Sequence, residues 1–332
     1  MKKILRIIRS NEWWEYKLSP LLAIGYATAL LNSTPIYTVA PWLLLILIST
    51  IVGATYVSVI NDITDIEEDL AAGKNNRMSK INARQRWIIP TCCAAVGALF
   101  LIFFYKDSLS RILYLLPWIS FSLYSFPPVR LKKRGLWGTF ADACGSHVFI
   151  SLLIIVSVDE VTQAPVDWSW FFAFVVWSFF YGLRGILWHQ FTDRKHDLQI
   201  NLTTFATRAD PGSFFTTSMI LFSIELLAFI FVLIKISVLL VFVFFLLYLG
   251  LVWMRYKKWD QRIVIVIAPE NVPYQILMVD YYQSFFPFSI LLYASLTQAN
   301  AWIILVLHAL LFNATIRKVA RDLFIAKPRM AQ

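Results

Sequence analysis

The stretch NDITDIEEDL, at positions 61–70, interrupts a sequence that is otherwise rich in apolar residues. It follows the run Tyr37–Ile60, which is long enough to cross a bilayer as a helix. Five carboxylates then occur within eight positions, namely Asp62, Asp65, Glu67, Glu68 and Asp69. A hydrophobic segment therefore ends in a dense negative cluster, which needs a chemical explanation.

The overall composition is typical of a membrane-embedded protein. Of 332 residues, 59% are hydrophobic and only 15% are charged, and the mean hydropathy is +0.65. Soluble domains contain about a quarter charged residues. The apolar runs predict helices at about 18–33, 37–60, 87–105, 109–126, 140–158, 168–188, 213–234, 236–253, 280–297 and 300–314. Because the last two are short, we expect an all-α, polytopic bundle of nine to ten transmembrane helices.

Three regions follow from this pattern. Residues 1–17 are basic and amphipathic, which favours a helix lying in the membrane interface. Residues 18–314 form the predicted transmembrane domain, and residues 315–332 form a basic cytoplasmic tail. Segment 263–279 is apolar but contains two prolines, so interfacial and re-entrant placements both remain open.

The basic residues indicate the orientation of the chain in the lipid bilayer. Six segments hold 27 of the 30 Lys and Arg residues: 1–17, 61–86, 127–138, 182–212, 254–263 and 315–332. Basic loops are normally retained in the cytoplasm. We therefore expect a multi-pass protein of the cell (inner) membrane with its active site on the cytoplasmic side. Nucleic acid is not an expected partner, because no soluble domain is available to carry a basic patch.

A second polar stretch, HQFTDRKHD at 189–197, ends the sixth predicted span on the same side as the first. In the first stretch Asn61, Asp65 and Asp69 are spaced four apart, and His189, Asp193 and Asp197 repeat this spacing. Side chains four residues apart share one face of a helix. The two helix ends could therefore direct stacked carboxylates into a common cavity.

Such an anionic site is reasonable only if cations occupy it, because like charges repel. Oxygen ligands favour Mg²⁺ over Zn²⁺, and a diphosphate bound through Mg²⁺ would balance the charge. Basic residues of the same side are candidate partners for the diphosphate. They are Lys74, Arg77, Arg130, Lys132 and Arg194, with Arg184 added by its position two turns before the second cluster.

These motifs resemble those of the UbiA superfamily of intramembrane prenyltransferases. The shared pattern is N-x-x-x-D-x-x-x-D after the second span and D-x-x-x-D after the sixth. A third stretch, YSFPPVRLKKRG at 124–135, resembles the loop after the fourth span of the chlorophyll-synthase-like branch. The resemblance extends over roughly residues 1–250 in the order of spans.

The resemblance implies a helical bundle around a central cavity that holds two Mg²⁺ ions. Asn61, Asp65 and Asp69 would bind one ion, and Asp193 and Asp197 would bind the second. Asp62 and His189 are candidates for the surrounding metal shell. By the same resemblance, Tyr124 and Lys132 would face the reacting centre and the diphosphate.

The favoured reaction is transfer of an isoprenyl group from a polyprenyl diphosphate to an unidentified small acceptor, with aromatic compounds among the candidates. A terpene cyclase and a transferase of a phosphosugar to polyprenyl phosphate remain alternatives on the same fold. A cation-coupled transporter is a more distant alternative, because the carboxylates lie at helix ends rather than at broken helices near mid-membrane.

Overall fold

A computed structural model describes residues 13–104 and 107–324, and within these ranges the chain is almost entirely α-helical. The predicted N-terminal interfacial helix and the basic tail therefore fall partly outside the described residues. A π-helical turn at Trp14–Leu18 leads directly into the first helix. The tail is helical as far as it is described, up to Phe324.

The longer helices of the N-terminal half are α1 (Ser19–Leu31), α2 (Ile36–Thr64), α5 (Ile88–Phe100), α6 (Ser108–Ser125), α7 (Leu136–Ala143) and α8 (Phe149–Thr162). Short helices α3 (Ile66–Ala71) and α4 (Ala83–Arg86) lie between α2 and α5. The C-terminal half contains α9 (Trp168–Gln199), α10 (Phe205–Arg208), α11 (Phe214–Ile236), α12 (Leu239–Trp259), α13 (Phe286–Thr297), α14 (Ala301–Leu311) and α15 (Ala314–Phe324).

Six helical segments among the described residues are long and apolar enough to cross a membrane, and a bent pair raises the total to seven. They are Ile36–Thr64, Ala83–Phe104, Leu136–Thr162, Trp168–Gln199, Phe214–Ile236 and Leu239–Trp259, with α14 and α15 as the pair bent by 79°. The all-α, polytopic architecture agrees with the expectation. The predicted count of nine to ten spans is not confirmed. Helices α1 and α13, each of which continues from a π-helical turn, are not among these six segments.

The interior of the bundle is formed by the segment containing α7 and α8 together with α9. Within their apolar windows, 83% of residues in Leu136–Thr162 and 67% in Trp168–Gln199 are buried, against 17% in Ala83–Phe104. Helices α7 and α9 approach closely at Gly182, where an added Cβ would lie 2.8 Å from His147 and 3.1 Å from the backbone of Ala143. A larger residue at this position would push apart two helices of the bundle interior.

The segment after α12 forms a pair of short parallel strands, β1 (Arg262–Val264) and β2 (Tyr274–Ile276). Arg262 is aligned with Tyr274 in this pair. Val266, in the connection between the strands, is buried against side chains of α9 and α11. The segment left open by its sequence is therefore a strand pair and loop that packs against the inner helices.

Charged side chains hold the C-terminal elements together. Arg255 of α12 pairs with Asp280 at 2.5 Å and with Asp322 of α15 at 2.7 Å, and Arg255 itself is 1% exposed. The carboxylate of Glu15 accepts hydrogen bonds from the backbone N–H groups of Ala314 and Thr315. The first turn of α15 is thereby tied to the N-terminal end of the chain.

Candidate active site

A cavity of about 310 Å³ lies where α2, α3 and α9 end. Six carboxylates line it: Asp62, Asp65, Glu68, Asp69, Asp193 and Asp197. Three basic side chains, Lys74, Arg77 and Lys132, line the same cavity, as do Tyr124 and His189. The two polar stretches of the sequence are therefore brought together, as their spacing predicted.

The first stretch remains stacked even though its helix is interrupted. Helix α2 ends at Thr64 and α3 begins at Ile66, with Asp65 between them at φ −105°. The N–H of Asp65 still donates to Asn61 O at 3.0 Å, and the N–H of Asp69 donates to Asp65 O at 2.8 Å. Because the four-residue spacing of backbone bonds continues across the break, Asp65 and Asp69 both reach the cavity.

The second stretch lies within a single long helix. Helix α9 continues to Gln199, so His189, Asp193 and Asp197 follow one another at successive turns. Asp197 is largely buried, and the hydroxyl of Thr204 donates to its Oδ2 at 3.4 Å. The predicted apolar span ends at residue 188, and the helix continues for about three further turns through the second polar stretch.

Basic side chains form ion pairs with the carboxylates that line the cavity. The Lys132 ammonium contacts Asp65 Oδ1, and Lys74 Nζ lies 3.3 Å from Asp193 Oδ2. Arg77 Nη1 lies 3.6 Å from Asp62 Oδ2. Burial lowers the pKa of Lys132 to about 7, with Lys133 acting in the same direction and Asp197 opposing both. Three basic side chains are thus paired with carboxylates at the cavity wall.

Asn76 braces the first cluster from the loop that follows α3. Its side-chain amide donates to the backbone oxygen of Asp62 at 2.7 Å and to Asp69 Oδ2 at 2.8 Å. Asn76 was not among the predicted site residues, and neither were Glu68, Gln190 and Thr204, which also line the cavity. Only Glu68 carried a signal, since it lies among the carboxylates of the first stretch.

Four predicted site residues do not line the cavity. The oxygen of Asn61 accepts a hydrogen bond from the Ser125 hydroxyl. Arg194 Nε donates to the backbone oxygen of Ala206 at 2.8 Å. Arg130 borders the cavity through Asp65, with Nη2 lying 3.3 Å from Oδ1.

Arg184 is the fourth, and it lies in a buried ion pair away from the cavity lining. It is 2% exposed and forms a bidentate pair with Glu225 of α11, at 2.7 Å from Nε and 2.8 Å from Nη2. Its Nη1 donates to Ile265 O at 3.2 Å. The guanidinium is therefore committed to a buried partner inside the bundle, because a cation at that depth must be neutralised.

The composition of the cavity fits a hard divalent cation. Its six acidic side chains offer carboxylate oxygens, and such donors suit Mg²⁺. Within residues 13–104 and 107–324, no three His, Cys, Asp or Glu side chains converge tightly enough to form a preassembled centre. The carboxylates instead surround a shared space with basic side chains between them, so metal binding requires some ion pairs to exchange.

Comparison with known proteins decides the family. The model of the UbiA prenyltransferase family matches residues 18–264, well over half of the chain. This chain belongs to the UbiA prenyltransferase family. The resemblance found in the motifs is thus confirmed, and both carboxylate stretches fall inside the matched region. A search of curated proteins finds no match.

Solved structures show the same fold. A UbiA homolog from Archaeoglobus fulgidus bound to GPP and Mg²⁺ shares 16% identity at a TM-score of 0.58, over 91% of this chain and 99% of that chain. A structure described only as a UbiA homolog from that organism shares 18% at a TM-score of 0.57, over 88% and 99%. A form bound to Cd²⁺ shares 15% at a TM-score of 0.52, over 97% and 99%. At these identities the similarity concerns the fold.

Proposed function

We propose that this protein is an intramembrane prenyltransferase that transfers an isoprenyl group from a polyprenyl diphosphate to a small acceptor. The observation that carries the proposal is the cavity, in which the carboxylates of two helix ends face basic side chains. The Archaeoglobus fulgidus homolog bound to GPP and Mg²⁺ supports an isoprenyl diphosphate as the donor. The positive-inside pattern of the sequence supports a site that opens to the cytoplasm.

The two carboxylate clusters are the proposed ligands of two Mg²⁺ ions. Asp65 and Asp69 would hold one ion from the α2–α3 side, and Asp193 and Asp197 would hold the second from α9. Asn61 would join the first set by exchanging its bond to Ser125. Bound Mg²⁺ would stabilise the negative charge that develops on the departing diphosphate.

The basic residues of the cavity are proposed to bind diphosphate oxygens. Lys74, Arg77 and Lys132 each contact a carboxylate in the structure, and these pairs hold them at the cavity wall. When a divalent cation neutralises those carboxylates, the ammonium and guanidinium groups become available to the anionic substrate. Such preorganised charge lowers the barrier to diphosphate departure without costly rearrangement.

The proposed reaction breaks a carbon–oxygen bond of the donor and forms a bond between the prenyl chain and the acceptor. The bond between C1 of the prenyl chain and the diphosphate oxygen breaks, and the electron pair leaves with the diphosphate. A nucleophilic atom of the acceptor then attacks the allylic carbon, and the acceptor loses a proton. Tyr124 lines the cavity at the end of α6, and its ring would stabilise the allylic cation. Asp62 and His189 would surround the metal ligands.

Product analysis tests this proposal. The purified full chain is incubated with Mg²⁺ and geranyl, farnesyl or geranylgeranyl diphosphate, with and without membrane lipids and small aromatic acids. We expect a product whose mass equals the acceptor plus a prenyl group less one hydrogen. Asp193→Asn should abolish it, while Glu270→Gln, at an exposed acid on the same side, should not. Consumption of donor to hydrocarbon without any acceptor would instead establish a cyclase, and transfer of a phosphosugar alone would establish the other alternative.

A further inference from the structure

Three basic side chains contact Glu68. Glu68 lies outside the series Asn61, Asp65 and Asp69, whose members are spaced four residues apart. Its Oε1 lies 2.9 Å from Arg130 Nη1 and 2.5 Å from Lys133 Nζ. Its Oε2 lies 3.9 Å from Lys132 Nζ. Glu68 is only 23% exposed at its side chain, so these contacts are partly shielded from water.

All three cations come from one tight turn of the loop that follows α6. Arg130 adopts a left-handed conformation at φ +40°, and Leu131–Lys133 form a 3₁₀ turn directly after it. The Nη2 group of Arg130 also donates to the last carbonyl of α2, Thr64 O, at 2.7 Å. These residues, 130–133, are called the basic turn, and the bond to Thr64 ties it to the α2–α3 junction. Glu68 is the carboxylate that contacts all three of its cations.

Asp65 shares two of these cations, but it is also a proposed metal ligand. Lys132 and Arg130 contact its carboxylate in the structure, whereas Lys133 pairs with Glu68 alone among the described residues. A divalent cation bound at Asp65 would offset the negative charge that attracts Lys132 and Arg130. Without another carboxylate, the metal ion would then repel the basic turn, and its cations would lie too far away to bind the diphosphate.

We propose that Glu68 is a positioning residue that keeps the basic turn at the cavity edge after Asp65 has been committed to metal. The inference rests on the proposed function, because it assigns the held cations to the diphosphate. Glu68 would accordingly act through Arg130, Lys132 and Lys133 rather than by binding the metal itself. Glu68 would thus be a functional residue of the site that lies outside the series Asn61, Asp65 and Asp69.

Two neighbouring acids provide a matched pair of variants for the test. Glu68→Gln removes the charge that holds the turn, and Glu67→Gln removes the same charge one residue away at an exposed position. The full chain in nanodiscs is titrated with Mn²⁺ alone, and separately with inorganic pyrophosphate in the presence of Mg²⁺. Wild type and Asp65→Asn are measured beside both variants, and thermal unfolding confirms that each protein is folded.

We expect Glu68→Gln to weaken pyrophosphate binding by on the order of tenfold, the loss typical of charge-assisted contacts. Its Mn²⁺ affinity should stay within about twofold of wild type, unlike that of Asp65→Asn. Loss of a negative charge by itself favours an anion, so Glu67→Gln should leave pyrophosphate binding unchanged or slightly tighter. A weakening in Glu68→Gln therefore cannot be a general charge effect.

A double-mutant cycle with Lys133→Gln gives an independent measurement. If Glu68 acts through the basic turn, the combined variant should lose less pyrophosphate affinity than the two single losses together. Unchanged pyrophosphate affinity in Glu68→Gln would overturn the proposal, as would a loss of Mn²⁺ affinity equal to that of Asp65→Asn. A wild-type protein that bound neither probe would overturn the proposed function as well, which separates the two failures.

Discussion

At the scale of single residues, the pair of Arg184 and Glu225 shows how this protein carries charge inside a bundle. Both side chains are almost fully buried, and Glu225 Oε1 accepts a further hydrogen bond from Tyr282 at 2.9 Å. The bidentate geometry satisfies the charges locally, since a lone ion at this depth would be very costly. The pair also joins α9, which carries the second aspartate cluster, to α11 and to Ile265.

Breaking this pair should therefore be far more damaging than breaking an exposed one. Glu225→Ala leaves the Arg184 cation buried without its partner, and we expect a loss of about 3–5 kcal/mol in the free energy of unfolding. The matched control is Glu270→Ala, because Glu270 pairs with Lys195 at 2.8 Å but both side chains are about two thirds exposed or more. The control should cost at most about 1 kcal/mol.

Thermal unfolding of the purified variants in detergent measures both effects. Equal losses in Glu225→Ala and Glu270→Ala would contradict the account of Arg184 as a buried structural cation. They would instead favour the expectation that Arg184 binds the diphosphate.

At the scale of elements, α9 carries the site at one end and is anchored at the other. Asp167 caps its first turn, where Oδ1 accepts hydrogen bonds from the Trp170 N–H at 3.1 Å and the Ser169 hydroxyl at 2.7 Å. Asp167 Oδ2 also pairs with Lys235, in the last turn of α11, at 2.5 Å. Burial favours a higher pKa for Asp167, but the bonds from Lys235, Ser169 and the Trp170 N–H outweigh it and lower the pKa to about 2.

This anchor should make stability depend on pH in a defined window. A carboxylate whose pKa falls from an ordinary 3.8 to about 2 on folding stabilises the protein above pH 4. The contribution is lost as the pH falls from about 4 towards 2, because the unfolded chain takes up a proton in this range while the folded carboxylate stays ionised. Asp167→Asn should remove this part of the dependence, so its unfolding temperature should fall less than that of wild type between pH 5 and pH 3. Parallel curves for the two proteins would show that the carboxylate does not stabilise the start of α9.

At the scale of the whole molecule, the class of fold and the proximity of the two polar stretches could both be predicted from the sequence. Apolar runs report membrane helices directly, and the four-residue spacing of Asp65 with Asp69 and of Asp193 with Asp197 survives in the structure. Cavity lining by Lys74 and Lys132 was also predicted, because both residues lie in basic loops on the side of the carboxylates.

The remaining features depend on contacts between distant parts of the chain. Arg184 was predicted to bind diphosphate from its position before the second cluster, and its pairing with Glu225, 41 residues away on another helix, could not be predicted. The spacing of His189, Asp193 and Asp197 predicted a helix through this stretch, but its end at Gln199 could not be predicted, because a charged stretch without apolar periodicity marks no boundary. Segment 263–279 was open for the same reason, since Val266 is buried only by the side chains of other elements.

If the carboxylates of α2–α3 and of α9 form one Mg²⁺-dependent diphosphate site, diphosphate release should depend on both clusters and on Mg²⁺. Release from geranyl diphosphate is measured against Mg²⁺ concentration for wild type, Asp65→Asn, Asp193→Asn and the exposed control Glu270→Gln. The account predicts release that requires Mg²⁺, is lost in both aspartate variants and is retained in the control. Release that persisted without Mg²⁺, or that survived either aspartate substitution in a folded protein, would contradict it.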